Sequence, residues 1–487
     1  MFSELRECFL MTTAESVLPL LSLPIEIKNR EFLGKLLLAA KAVEGGWAVI
    51  IGKQSRVCEV LTGVPPAVHL EISIPQSKLN TRIRPLVQAG HRLGCLCEEG
   101  VVYPDGRDYC LRKVGEGPLA LLSFYFANGE RQADDLRQYG TSQGYRLVVS
   151  GNPRFDLLHP PCRALYDDSV ARIQARIGEP FVLVNTNFSL VNPHPSYGDP
   201  LQKLKQSGKL MTAEQDLLWQ RVVAGKQRLI ADYRRLVLAL TAAGQTVVIR
   251  PHPSENVDSW LAFAAGRPRL HVVHEDSANA WMLAARAVIH TGCTTGVEAF
   301  LLQRPVIAYL PEGQHEEEGF ATQLSLTAAS PEQVLERLEA LSSGAPIGDD
   351  PAAAARRQLA HHHIANSERP GACERILEAF AADPPSPQSL TEVRLRLRAQ
   401  RRPLLRRLGS RLARELVTVL PGGLGSAALQ RRQAHHHLHR QKFPGLNRGE
   451  LLSVLTRFRA LGVVAALPRV ERIDTDLFLL SPPGVHD

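Results

Sequence analysis

Long apolar runs are missing from this 487-residue chain. Nothing approaches the ~18–20 consecutive apolar residues that a membrane span needs, so no spanning helix is expected. The opening residues, Met1-Phe-Ser-Glu-Leu-Arg-Glu-Cys8, lack the basic-then-apolar layout of a secretory leader. The eight cysteines show neither paired CxxC spacing nor disulfide density, which points to a reducing cytoplasm. Cys95 and Cys97 lie on an apparent strand and read as small apolar residues rather than a redox or metal pair. Aromatic residues make up only 6% of the chain, few for a surface on which bases stack, and this argues against nucleic-acid binding.

What is present suits a globular protein, with 44% apolar and 22% charged residues. The length exceeds what one core can serve, so two domains and an extension are expected, at 1–160, 161–345 and 346–487. The net charge of +8 is concentrated near the C-terminus: Thr391 to Glu415 carries nine Arg against two Glu, and a second basic stretch spans Arg431 to Lys442. Basic faces attract anionic lipid and acidic substrates as well as nucleic acid. Residues 391–416 are therefore a candidate peripheral membrane contact, set against the plainer reading of a solvated or domain-clasping face. The His clusters at 361–363 and 435–437 read as solvated helix surface.

The richest stretch runs from Gln245 to Pro311. Four short apolar runs, 246–250, 270–274, 287–290 and 305–309, alternate with helical spacing, the pattern of βαβ units in a buried parallel sheet. The N-terminal part has the same rhythm, with strands expected at 47–51, 67–72, 92–97, 119–124 and 146–150. Helices are expected at 31–43, 82–89, 162–177 and 212–242, an inserted loop at 193–211 and a linker at 344–353. The fold class is α/β: two doubly wound, Rossmann-type domains facing a cleft, followed by a basic helical extension.

In such sheets ligands sit beyond the carboxyl ends of the strands, where the polar clusters of this chain fall. Thr291-Gly-Cys-Thr-Thr-Gly296 joins a strand to a helix. Its backbone N–H groups and the hydroxyls of Thr294 and Thr295 suit an anion, while a helix cap would use the same residues. No Lys follows the last Gly at P-loop spacing, which argues against an ATPase or kinase. Arg250-Pro-His-Pro-Ser254 places the His252 imidazole past a strand end between Pro251 and Pro253, poised to donate to a phosphate or ribose oxygen. Glu275 could accept from a ribose hydroxyl, with Glu298 a secondary candidate. Glu98-Glu99-Gly100 ends a strand of the first unit; adjacent side chains there point opposite ways, so one carboxylate enters the cleft as a base or nucleophile.

Glu98-Glu99-Gly100, His252-Pro253 and Thr294-Thr295 resemble the motifs of bacterial sialyltransferases and Kdo transferases, GT-B enzymes that use CMP-activated sugars. Gly151-Asn-Pro-Arg-Phe-Asp156, Arg250 to Asn256 and His290 to Glu298 through Arg304-Pro-Val-Ile307 are similar to surface carbohydrate biosynthesis proteins, over roughly residues 15–380. The resemblance implies a catalytic carboxylate at Glu98, or at Glu99 in its place, because Cys97 stands where an acidic residue is expected before the pair. It implies that Arg250, His252, Pro253, Ser254, Thr291, Gly292, Thr294, Thr295 and Glu298 hold the donor nucleotide, with Glu275 at its ribose. Asn152, Arg154 and Asn187 would line the cleft. The expected partners are a nucleotide-sugar donor and a glycan or lipid-linked acceptor, with no metal or other cofactor. A CDP-glycerol polymerase, a nucleotide-sugar epimerase and a non-catalytic scaffold of surface-glycan assembly are the alternatives.

Overall fold

Runs of β-branched and aromatic residues become strands whose side chains are buried on both faces. The computed structural model describes residues 16–484 except 104, 141–143, 196–197, 199–201, 203–212, 312–318, 343–350 and 401–441. The expected insertion at 193–211, the second basic stretch, the His cluster at 435–437 and residues 401–416 thus lie wholly or mostly outside the described residues.

The N-terminal strands are β1 (Val17–Leu18), β2 (Leu20–Ile25), β3 (Ala48–Lys53), β4 (Val68–Glu71), β5 (Arg92–Leu96), β6 (Phe124–Ala127) and β7 (Arg146–Val149). Then come β8 (Phe181–Asn185), β9 (Thr246–Arg250), β10 (Leu270–Val272), β11 (Ala287–His290), β12 (Val306–Tyr309) and β13 (Leu326–Ala328). The C-terminal region adds β14 (Gln388–Ser389), β15 (Arg469–Asp474) and β16 (Leu477–Ser481).

The first large sheet has the order β15-β16-β3-β2-β4-β5-β6-β7 and the second β10-β9-β8-β11-β12-β13. Strands β2 to β7 and β8 to β13 run parallel within their sheets. Each order reverses once, between β2 and β4 and between β8 and β11, so these are two doubly wound Rossmann-like domains, each with a crevice at its reversal. Pro24 helps open the first crevice. It has no N–H to give, and β2 pairs with β4 only at Leu21 and Ser22 while its ladder with β3 runs on to Ile25.

Two local expectations fail. Residues 119–124 are not a strand: Glu116–Leu119 is a short helix with Pro118 inside it, and the buried Phe-Tyr-Phe run places β6 at Phe124–Ala127. His363 is not solvated helix surface, because its ring stacks on Phe320 with centroids 3.8 Å apart.

The chain crosses between domains twice. After β7 it passes through Asn152 and the short helix Pro153–Asp156 into the second domain. It returns through the helix Pro351–His363, and Ala365 N–H then donates to Asn128 O. The Asp156 carboxylate clasps this return by accepting from the N–H groups of Gly371, Ala372 and Cys373 and from Asn366 Nδ2. It thereby starts the helix Ala372–Ala381, whose Phe380 ring lies 5.4 and 5.3 Å from Phe124 and Phe126 inside the first core. Such edge contacts add about 0.5–1.5 kcal/mol each beyond burial.

The extension contains helices, as expected, and also the three strands β14, β15 and β16 that sequence reading passed over; β16 pairs antiparallel with β3 and extends the first sheet. In the Arg-rich helix Leu390–Ala399, Arg394 and Arg398 pair with Glu471 of β15, so this part of the basic stretch clasps the domain. No helix among the described residues is long and apolar enough to cross a membrane.

Candidate active site

The second-domain crevice opens where β8 and β11 end, with Asn185 opposite His290 in register. Asn185 Nδ2 and Thr291 Oγ1 are buried there without hydrogen-bond partners among the described residues. The turn beyond is wrapped around the His290 imidazole. Nδ1 accepts from Gly292 N–H, so the ring proton is on Nε2 and is donated to Ser325 Oγ, which donates to Ala321 O. Burial holds this ring down to about 4 and therefore neutral. The turn closes on it only because Gly292 has φ +76° and a Cβ at Gly296 would lie 2.5 Å from His290 Cε1. The helix Thr294–Leu301 starts here with no side-chain cap. Neither threonine serves as that cap; Thr295 Oγ1 contacts Cys293 Sγ at 2.9 Å.

Beside it, Arg250 ends β9 and donates to Asp276 O; burial lowers it to about 10, still a cation at neutral pH. The next turn is organised by Glu255, fully buried. Its carboxylate accepts from Thr186 Oγ1 at 2.7 Å, from the N–H groups of Phe188 and His252 at 3.0 Å, and from Trp260 Nε1 at 2.9 Å. One carboxylate thus fixes both the tip after β8, which includes half-buried Asn187, and the backbone of His252 between its prolines. His252 Nδ1 accepts from Ser254 N–H at 3.1 Å, so the proton sits on Nε2, which has no hydrogen-bond partner among the described residues. Burial, then the charge of Arg30, brings His252 down to about 4. It is a neutral N–H donor at physiological pH.

The first domain supplies the opposite wall. The helix Lys28–Glu44 packs against Pro153–Asp156 at Gly34, where a Cβ would come within 2.9 Å of Arg154 N. Glu31 accepts from the N–H groups of Glu26 and Ile27 and pairs with Arg30 at 3.0 Å. Glu98 is buried between Lys35 Nζ at 3.5 Å and Asn152 Nδ2 at 3.2 Å. Glu99 turns the other way, half-exposed, to Arg30 and Lys113. Despite partial burial, these two cations hold Glu99 down to about 2. Arg154 is buried with Nη1 3.7 Å from Glu298 Oε1, and its Nε and Nη2 have no partner. Burial raises Glu298 against the pull of Arg154, Arg30 and Arg250.

The two walls meet where Arg154 Nη1 lies 3.7 Å from Glu298 Oε1, and across the same boundary the charges of Arg30 and Glu99 act on His252 and that of Arg30 on Glu298. Glu275 lies outside this buried group, paired with Arg176 on the rim. Sequence reading missed Arg30, Lys35, Asn185 and Glu255. One signal was available, because Arg30 is basic in the first turn of the helix Lys28–Glu44, where the dipole disfavours it. Arg30 Nε and Lys35 Nζ, like the three orphaned groups above, are buried without a hydrogen bond. Each such donor costs about 1–3 kcal/mol while it stays unpaired.

No protein-family model matches the chain, and no curated protein matches it in sequence. Among solved structures, UDP-GlcNAc 2-epimerase from Methanocaldococcus jannaschii in complex with UDP-GlcNAc and UDP is similar over 74% of this chain and 99% of its own, at 11% identity and TM-score 0.44. The enzyme of the same name from Neisseria meningitidis covers 75% of this chain and 99% of its own, at 12% identity and TM-score 0.42. The wall teichoic acid polymerase TagF covers 65% and 71%, at 10% identity and TM-score 0.40. Likenesses this distant assign no activity; the fold rests on the strand orders given above.

Proposed function

We propose that the chain is an enzyme acting on a nucleotide-activated sugar in the interdomain cleft, cleaving the bond between the anomeric carbon and the phosphate and passing the sugar to an acceptor hydroxyl on a surface glycan. The observation that carries this reading is the set of buried polar atoms without a hydrogen bond among the described residues, Asn185 Nδ2 and Thr291 Oγ1 in the second domain and Arg154 Nε and Nη2 in the first, Arg154 being otherwise ion-paired with Glu298. In this reading His252 Nε2–H and the start of the helix Thr294–Leu301 hold the nucleotide phosphate, with Arg250 adding charge. Glu298 accepts from a ribose hydroxyl. As the C–O bond breaks, its electron pair passes to the phosphate oxygen, where Arg154 and His252 meet the charge. Glu98 takes the acceptor's proton as the new C–O bond forms. Glu99 suits that task poorly, since its cations keep it a weak base.

In this reading a phosphate meets the second-domain donors, and a donor with a second anionic group would compete with Glu31, Glu98 and Glu99 for Arg30 and Lys35. The carboxylate of a CMP-activated keto-acid such as Kdo supplies one. The outer phosphate of a UDP- or CDP-linked donor supplies the other, and that favours a second reading, epimerisation of a nucleotide sugar. Incubation with CMP-, CDP- and UDP-linked donors, with and without glycan acceptor, separates them. Acceptor-dependent CMP release supports transfer, and a sugar product without acceptor supports epimerisation. Absence of nucleotide release and of nucleotide binding sinks both.

A further inference from the structure

Away from the residues of the cleft, the first domain holds a second cluster of ligand-type side chains. His69 and Glu71 lie two residues apart on one face of β4 and are fully buried. The helix Gln54–Leu61 lays Cys58 beside them. One donor atom from each of the three lies within 4.8 Å of the other two. We propose that Cys58, His69 and Glu71 form a zinc-binding site that ties this helix to β4.

The geometry supports more than an ion pair. His69 Nε2 is 3.3 Å from Glu71 Oε1, already the spacing of two ligands about 2.0–2.2 Å from one zinc ion. Cys58, the partly exposed member, has its sulfur within 4.8 Å of a ligand atom of each of the other two. The other ring nitrogen, Nδ1, is 3.1 Å from Ser22 Oγ. A partner outside the trio thus fixes the imidazole plane, as outer partners do for metal-bound histidines. Lys78 Nζ holds Glu71 Oε2 at 3.2 Å and leaves Oε1 to the trio. Arg82 Nη1, 3.6 Å from Oε1, is buried without a hydrogen bond among the described residues and would have to yield that oxygen to the ion. A thiolate with an imidazole selects zinc over magnesium or calcium. On binding, the thiol proton goes to solvent and the sulfur lone pair to the metal. Three protein ligands leave a fourth position for water on the Cys58 side.

The test uses the full-length protein, loaded with Zn²⁺, desalted and analysed for metal, and in parallel loaded with Co²⁺ for absorption spectroscopy. We expect one tightly held zinc per chain and a cobalt form with an intense near-ultraviolet thiolate band and four-coordinate visible bands. Cys58→Asp keeps a metal ligand, so it should retain cobalt and lose the near-ultraviolet band. Ser22→Ala should weaken cobalt binding about 10–100-fold, with circular dichroism confirming that both variants fold. Wild-type protein that retains no zinc and shows no thiolate–cobalt band overturns the site. Survival of that band in Cys58→Asp overturns it equally.

Discussion

Arg30 of the first domain acts by its charge on the His252 ring of the second, and after burial it is the largest influence bringing that ring down to about 4. The cleft is therefore one electrostatic unit built from two domains. His252 is a neutral N–H donor, and the cations around it are Arg30, Lys35, Arg154 and Arg250.

The Thr291 hydroxyl is buried without a hydrogen-bond partner among the described residues, a cost that the phosphate of the proposed donor would remove. Thr291→Val keeps the shape and removes the orphaned group. The ligand-free protein should gain about 1 kcal/mol in urea unfolding, while nucleotide affinity by calorimetry falls about tenfold. Loss of stability would show that the hydroxyl already has a partner.

Glu98 and Glu99 are separated by environment, so their variants should differ. Glu98→Gln keeps the contact with Asn152 and removes the base; turnover should fall about 10²–10⁴-fold with nucleotide affinity nearly unchanged. Glu99→Gln loosens a half-exposed pair with Arg30 and Lys113 and should change turnover only severalfold. Equal losses in the two variants would remove Glu98 from the role of base.

Much of this layout was legible in short stretches: the parallel strands, the prolines around His252, the glycines at 292 and 296 and the opposed side chains at 98 and 99. Contacts made over long separations were not. Glu255 draws together Thr186, Phe188, His252 and Trp260, and nothing beside it in sequence announces four donors. Asp156 finds its partners beyond residue 365, at the return crossing of the chain. Strand β16 carries an ordinary apolar run, Leu477-Phe-Leu-Leu480, yet only the tertiary fold gives it an edge to join at β3.

Glu255 is the residue whose loss should disturb the second wall most. Glu255→Gln replaces one acceptor oxygen with an NH₂ that faces donors, so we expect a loss of roughly 3 kcal/mol or more in urea unfolding. Nucleotide binding should weaken with it, because His252 and the tip after β8 lose their shared anchor. Retention of both properties would refute that role.

His290 fixes a direction of pH dependence. Its folded-state value of about 4 lies below the ordinary 6.5, so the unfolded chain takes up a proton that the folded chain refuses. Its contribution is intact above about 6.5 and is lost as pH falls toward 4, on the order of 3 kcal/mol over that window. Urea midpoints measured across this range should fall for the wild type and fall less steeply for His290→Gln. Parallel curves would contradict a buried neutral ring.

The most direct test is a crystal soaked with CMP. The account predicts the nucleotide in the β8/β11 crevice, its phosphate within hydrogen-bond reach of His252 Nε2 and Thr291 Oγ1, and its ribose at Glu298. CMP bound elsewhere, or a cleft that takes up no nucleotide although calorimetry shows binding, would contradict it.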